Sequence, residues 1–136
     1  MGAWHRACTP SGAMLRDLGG LRVLVASDDS GLGRLFATIV EVCGGTIQRA
    51  DSAATTFQGL ERRPHVLLLD VAMPEAVDLV PLGAEGLKIP VVAFLFRHAD
   101  PAGAAARLRG THVRLLASTD VFQVCSTLQR AVAEAA

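Results

Sequence analysis

An apolar run that ends in an acid, with a proline close behind, constrains this chain most. Val66–Leu69 is apolar without a break, and Asp70 follows directly. Such a run is typical of a strand buried on both faces, and open α/β sheets carry their sites at the C-terminal ends of strands. Met73 and Pro74 then predict a loop, because proline has no N–H for a strand ladder. From this stretch alone, Asp70 is either a site residue or the cap of the next turn.

Strands and helices alternate along the rest of the chain. Helical stripes of apolar residues are clear after the first and fifth strands, whereas Pro81, Gly83 and Gly86 predict a short or broken helix within 75–88. Five strands alternating with five helical segments predict an α/β fold: a three-layer, doubly wound, five-stranded parallel sheet with helices on both faces. The half-polar second and fifth strands suit the edges, which favours the order 2-1-3-4-5. The predicted strands are 21–26, 46–50, 65–70, 90–95 and 111–116.

Length and charge restrict the organisation and the partners. Residues 1–20 contain Gly and Pro without a sustained period, which predicts a flexible N-terminal extension before one domain over 21–136. The 13 basic and 13 acidic residues cancel, so there is no basic field for nucleic acid or an anionic membrane. No apolar run approaches the roughly 20 residues that span a bilayer.

The cysteines and the N-terminus predict a compartment. Cys8, Cys43 and Cys125 are few and widely spaced, which suits neither a disulfide framework nor a zinc site. Cys43 and Cys125 fall on apolar helix stripes, so reduced thiols packed in the core are expected. The first twenty residues show no apolar segment typical of a secretory signal. Together these features predict a cytoplasmic protein.

Three acids are expected to meet at the topological switch point of the sheet. In the order 2-1-3-4-5 the first and third strands are neighbours; Asp28 and Asp29 follow the first, and Asp70 ends the third. Carboxylates packed together repel unless a cation lies among them, and their oxygens suit a hard ion such as Mg²⁺. An Asp beside such an ion can also act as a nucleophile toward a phosphoryl group. Asp28, Asp29 and Asp70 are therefore predicted to form a weak Mg²⁺ site.

The segment from Leu21 onward resembles the receiver domain of bacterial two-component response regulators. The resemblance is carried by Asp28 and Asp29 and by the Asp-x-x-Met-Pro pattern of Asp70, Met73 and Pro74. It implies a flavodoxin-like fold similar to that of chemotaxis regulators, with Mg²⁺ held by the three acids. It also implies that Asp70 is a phosphoacceptor served by a histidine kinase, in a signalling protein that is not an enzyme.

Two positions depart from the receiver pattern, which indicates a degenerate phosphorylation site. Receivers end their fourth strand in Thr or Ser, and counting along this chain places Leu95 there. They end their fifth strand in a Lys-Pro pair, which becomes Ala117-Ser118 here. Arg97 and Arg114 are the only cations that could substitute for the lysine. Of these, Arg97 is expected to lie solvated in the loop after the fourth strand.

Two functions remain open from the sequence. The missing Thr and Lys favour an atypical stand-alone receiver-like regulator, with no output domain after residue 136, that acts through protein–protein interaction. The alternative is a conventional Mg-dependent receiver phosphorylated on Asp70 by a histidine kinase. A flavin- or nucleotide-binding protein is less favoured, because no lysine follows Gly31 and Gly33 as in a phosphate-binding loop.

Both functions need a partner, either a histidine kinase or another signalling protein, and a monomer or weak homodimer is expected. In receivers, the usual contact face is formed by the fourth helix, the fifth strand and the last helix. A basic face there would steer an acidic partner. The residues that predict this face are Arg107, Arg109, Arg114 and Arg130.

Overall fold

The computed structural model describes residues 18–76, 89–109, 111 and 113–135. Its strands are β1 (Arg22–Ala26), β2 (Thr46–Ala50), β3 (Val66–Asp70), β4 (Val91–Phe94) and β5 (Arg114–Leu116). Its helices are α1 (Ser30–Val42), α2 (Ala53–Leu60), α3 (Pro101–Leu108) and α4 (Val121–Ala135). Most of the short or broken helix predicted within 75–88 lies outside the described residues.

The five strands form one parallel sheet in the order β2-β1-β3-β4-β5, which confirms the predicted topology. All five residues of β3 are buried, because this central strand has a neighbour on each side and helices over both faces. The register aligns Ala26 with Leu69, and Asp70 with Phe94. The C-terminal ends of β1, β3 and β4 therefore lie side by side at one edge of the sheet.

Two apolar clusters bury the two faces of the sheet. On one face, α1 and α4 contribute Phe36 and Leu128 to a cluster with Val23 of β1. On the other, α2 and α3 contribute Leu60 and Leu108. Neighbouring residues of one strand point into different clusters, as expected for a strand covered on both sides. Helices on both faces were predicted, and the structure confirms them.

Side-chain caps begin two of the helices. The Asp29 carboxylate accepts a hydrogen bond from the Leu32 N–H at 3.0 Å and caps α1. Ser52 and Thr55 form a reciprocal capping box at α2. Such caps satisfy backbone N–H groups that have no partner inside the helix. The cap of α1 also fixes the chain that leaves β1.

The edge strand β5 differs from its prediction. It has three residues instead of the predicted 111–116, and Leu115 is exposed whereas Leu116 is buried. β5 pairs with β4 only from Arg114 to Leu116.

A disulfide joins Cys43 to Cys125, so the predicted reduced thiols are a wrong prediction. The burial was correct, since both cysteines lie in the cluster between α1 and α4. These helices pack on the same face of the sheet, which brings the two Cα atoms to 6.8 Å. That separation is within the span of a disulfide. The bond links residues 82 positions apart, and chain spacing alone did not indicate the contact.

The packed domain begins before β1. Leu18 is fully buried, and its backbone N–H donates to the Cys43 carbonyl at 3.1 Å. The last residues assigned to the extension therefore pack against the end of α1, while residues 1–17 lie outside the described part of the chain. Within the described residues, no helix has the length and apolar character to cross a membrane.

Candidate functional site

Ser27 connects the end of β1 to the acid that ends β3. It continues the register of Ala26 with Leu69, and its hydroxyl donates to Asp70 Oδ2 at 2.7 Å. The same hydroxyl accepts the Asp29 N–H at 3.1 Å. Ser27 thus fixes the direction in which the two following acids leave the strand. Sequence reasoning missed this residue, although its place directly before Asp28 was a usable signal.

Arg97 lies among the three acids. It is exposed in the loop after β4, as predicted, but its guanidinium contacts the site, which the prediction did not include. Its guanidinium forms ion pairs with Asp28 and Asp70, the latter at 2.7 Å. Its Nε lies 3.6 Å from Asp29 Oδ2 and donates to Asp70 Oδ2 at 3.1 Å. The structure thereby brings Asp28, Asp29 and Asp70 to one place, as predicted, but around a cation supplied by the chain itself.

A turn after β4 directs Arg97 back over the strand ends. The His98 N–H donates to the Leu95 carbonyl at 3.0 Å, which closes the turn around residues 96 and 97. The Phe96 ring stacks on Phe94 with ring centroids 5.6 Å apart, and Phe94 in turn packs on Phe36 of α1 at 4.7 Å. Aromatic packing therefore anchors one side of the turn, while Arg97 on the neighbouring position meets the acids.

Asp70 is both a turn cap and a residue of the acidic cluster. The two alternatives that its sequence position left open are therefore both correct. Its Oδ1 accepts the Ala72 N–H at 3.0 Å, as a turn cap does. Its Oδ2 accepts hydrogen bonds from Ser27 and Arg97. The side chain has no solvent-accessible surface, and burial of a carboxylate is tolerated when donors and a cation compensate it.

The charge of the site is only partly compensated. Three carboxylates and one guanidinium leave a formal charge of −2, by the sum of −3 and +1. Hydrogen bonding to Asp70 raises the pKa of the Arg97 guanidinium, because it stabilises the charged form. Arg97 is therefore a permanent cation here. The remaining negative charge belongs to Asp28 and Asp29, whose side chains are 38% and 37% exposed.

The carboxylate oxygens of the site suit Mg²⁺, but their arrangement does not leave them open to the ion. Carboxylate oxygens are the ligands this ion prefers, and Asp28, Asp29 and Asp70 would supply them. Within the described residues, no group of three His, Cys, Asp or Glu side chains is arranged to hold a metal ion. The guanidinium of Arg97 contacts the oxygens that would bind the ion. The metal site stays a prediction, and it requires Arg97 to withdraw.

The two departures from the receiver pattern follow strands that end at the same edge of the sheet as these acids. Leu95 directly follows β4 and supplies no side-chain hydroxyl, and Ala117 directly follows β5 and supplies no ammonium group. Arg114, the other proposed substitute cation, forms an ion pair with Glu134 of α4. Of the two candidate arginines, the structure therefore brings Arg97 to the site and pairs Arg114 elsewhere.

Solved structures with similar folds come from bacterial signalling proteins. A sensor protein from Polaromonas sp. JS666 has a TM-score of 0.69 and 22% identity, covering 86% of this chain and 99% of that one. A response regulator receiver domain protein from Clostridium thermocellum has a TM-score of 0.69 and 16% identity, over 84% and 95%. A chemotaxis response regulator of Vibrio cholerae has a TM-score of 0.63 and 18% identity, over 82% and 98%.

No protein-family model matches the chain, and no curated protein matches it significantly. The similarity to these solved structures is therefore one of fold. On these grounds, the chain has the fold of the response regulator receiver domain of two-component systems.

Proposed function

We propose that this protein is an atypical, stand-alone receiver-like response regulator that signals through protein–protein interaction and is not an enzyme. The observation that carries the proposal is the ion pair of Arg97 with Asp70 and Asp28. In this arrangement the chain's own guanidinium takes the place where a metal ion and a phosphoryl group would otherwise bring charge to the acids. The site is thus held in one state without an added ligand.

Asp70 is poorly placed to accept a phosphoryl group. A carboxylate acts as a nucleophile through an oxygen with a free lone pair that the donor can reach. Asp70 is fully buried, and Oδ2 already accepts hydrogen bonds from Ser27 and Arg97. Leu95 cannot donate a hydrogen bond to a phosphoryl oxygen, and Ala117 cannot offset its charge. A ligand shifts an equilibrium only by its differential affinity for the two states, so little conformational response is expected.

Weak Mg²⁺ binding belongs to the same proposal. The formal charge of −2 that remains beside Arg97 attracts a cation, while displacement of the guanidinium opposes its binding. When bound, Mg²⁺ would be held by Asp28, Asp29 and Asp70 and would supply charge compensation for oxyanions.

Partners in this proposal are a histidine kinase or another signalling protein, with the chain a monomer or weak homodimer. Cytoplasmic localisation stays a prediction, and it now rests on the N-terminal sequence alone, because the disulfide removes the argument from reduced thiols.

The test is exposure of the protein to acetyl phosphate with Mg²⁺, followed by intact-mass measurement. Wild type is expected to gain no phosphoryl group over a time in which a conventional receiver, treated in parallel, is fully modified. Asp70→Asn controls for modification elsewhere on the chain. Rapid and near-complete modification of wild type, absent in Asp70→Asn, would establish the conventional phosphoacceptor function instead.

A further inference from the structure

A cavity at the other end of β1 from the acidic site is lined by two arginines that form no ion pair with the described residues. It has a volume of about 310 Å³ and lies beside the starts of β1 and β2 and the chain that follows α2. The five residues of β1, Arg22 to Ala26, separate it from the acids by roughly 13 Å along the strand. Its lining residues are Arg22, Val23, Thr46, Ile47, Gln48, Arg62 and Pro64.

We propose that this cavity is a binding site for a small oxyanion, a carboxylate or phosphate group, held by Arg22 and Arg62. The proposal is independent of the function proposed above. Within the described part of the chain, neither arginine has a carboxylate within ion-pair distance. The guanidinium fork matches carboxylate and phosphate oxygens in a bidentate manner. A pair of such forks lining one cavity is therefore suited to a compact anion.

Arg22 is held in place by its neighbours before any ligand arrives. Its backbone N–H donates to His65 Nδ1 at 2.9 Å, and its carbonyl accepts the His65 N–H at 2.8 Å. Its guanidinium donates to the Arg63 carbonyl at 2.6 Å, which leaves its other N–H groups available. A positioned side chain loses less conformational freedom when it binds a ligand.

The chain after α2 has an unusual backbone conformation beside this cavity. Arg63 has a φ of 53°, a left-handed conformation that is rare outside glycine. Such conformations persist where the surroundings determine them, and they are common at binding sites. Here the conformation accompanies the hydrogen bond from Arg22 to the Arg63 carbonyl. The N–H groups of Arg62 and Arg63 donate to the Gly59 and Leu60 carbonyls. These two carbonyl oxygens at the end of α2 therefore already have hydrogen-bond donors and repel a nearby anion less.

The size of the cavity indicates the size of the ligand. Small-molecule sites in proteins begin at about 300 Å³, so this cavity suits a short dicarboxylate or a small phosphate. Gln48 can add an amide donor beside the arginines. The Thr46 hydroxyl already donates to the Leu21 carbonyl at 3.3 Å. The positive charge that would attract the anion is that of Arg22 and Arg62.

Titration of the full chain with inorganic phosphate, and separately with malonate, tests the proposal at constant ionic strength. Backbone NMR signals of Val23, Ile47 and Gln48 are expected to shift in a saturable way with at least one of the two anions. The anion that saturates at the lower concentration identifies the ligand as a phosphate or a carboxylate. Absence of saturation with both anions would overturn the proposal.

A variant series separates this site from general charge effects. Arg62→Gln is expected to weaken the saturable binding about tenfold, because one bidentate pair is lost. Arg62 is exposed, so this variant should keep its fold, and its unperturbed NMR spectrum checks this. Arg34→Gln on α1 removes the same charge from another exposed position. Equal binding by wild type and Arg62→Gln, or an equal loss in Arg34→Gln, would contradict the assignment.

Discussion

At the scale of single residues, Arg97 determines what the acidic site can accept. A planar guanidinium can bond to several carboxylate oxygens at once, whereas a lysine ammonium acts as a single compact charge. Arg97 uses this geometry, because its Nε and one terminal nitrogen both reach Asp70 Oδ2 while that nitrogen also contacts Asp28. Removal of this side chain should expose carboxylate oxygens that no other cation in the described chain covers.

Arg97→Ala is accordingly expected to bind divalent cations more tightly than wild type, by about tenfold or more, since an ion no longer displaces a guanidinium. Mn²⁺ titration followed by electron paramagnetic resonance measures the free ion directly. Arg34→Ala is the matched control for loss of one positive charge, and Arg97→Ala with Asp70→Asn should lose the gain. Unchanged affinity in Arg97→Ala would show that Arg97 does not compete with the metal.

At the scale of secondary-structure elements, α1 and α4 are joined both by packing and by a covalent bond. Their apolar stripes share one cluster that includes Phe36 and Leu128, and the Cys43–Cys125 disulfide lies within it. A bond that closes a long loop stabilises the native state, in the chain-entropy account, by restricting the unfolded chain. The bond here spans most of the domain, from the end of α1 to the first half of α4.

Reduction of this disulfide should lower the free energy of unfolding by about 2–4 kcal/mol. Urea denaturation followed by circular dichroism, with and without a phosphine reductant, measures the difference. The double variant Cys43→Ala with Cys125→Ala should unfold at a lower urea concentration than oxidised wild type and should not respond to the reductant. If wild type unfolds at the same urea concentration in both conditions, the bond does not contribute in solution.

The elements show how far sequence reasoning reaches in this protein. The stripes of α1 and α4 and the buried run of β3 follow local periods, so they were predictable together with the sheet order. The acids were predictable because strand ends in this topology meet at one edge. The position of Arg97 was not predictable, because it depends on the turn that Phe96 anchors. A turn leaves no repeating pattern of apolar residues in the sequence. The disulfide was missed because burial of two cysteines does not indicate the distance between them.

At the scale of the whole molecule, two groups of like charge lie at different places although the formal charges sum to zero. The acids gather at the C-terminal ends of β1 and β3, while Arg107, Arg109 and Arg130 lie exposed on α3, at its end and on α4. Leu115 is exposed on β5, the edge strand that precedes α4. The predicted basic face is weaker than expected at one point, since Arg114 pairs with Glu134.

Charge reversal of two exposed arginines, Arg107→Glu with Arg109→Glu, is expected to slow association with an acidic partner more than it changes dissociation, because steering acts on the encounter. Surface plasmon resonance over a series of salt concentrations, with the cognate kinase or other partner immobilised, measures both rates. Arg34→Glu is the control at an exposed position on α1. If association is unaltered by the double reversal while Asp28→Ala abolishes it, the contact surface is the acidic site.

The central position of β3 also determines which part of the acidic site is able to move. β3 is hydrogen-bonded to β1 and β4 along its length, so Asp70 at its end is a fixed point of the molecule. The turn that carries Arg97 is closed by one backbone hydrogen bond and anchored by the Phe96 ring. Amide hydrogen exchange should therefore be slowest in β3 and faster at residues 95–98. Any rearrangement at this site is a hinge motion of that turn, with the strand as its stationary support.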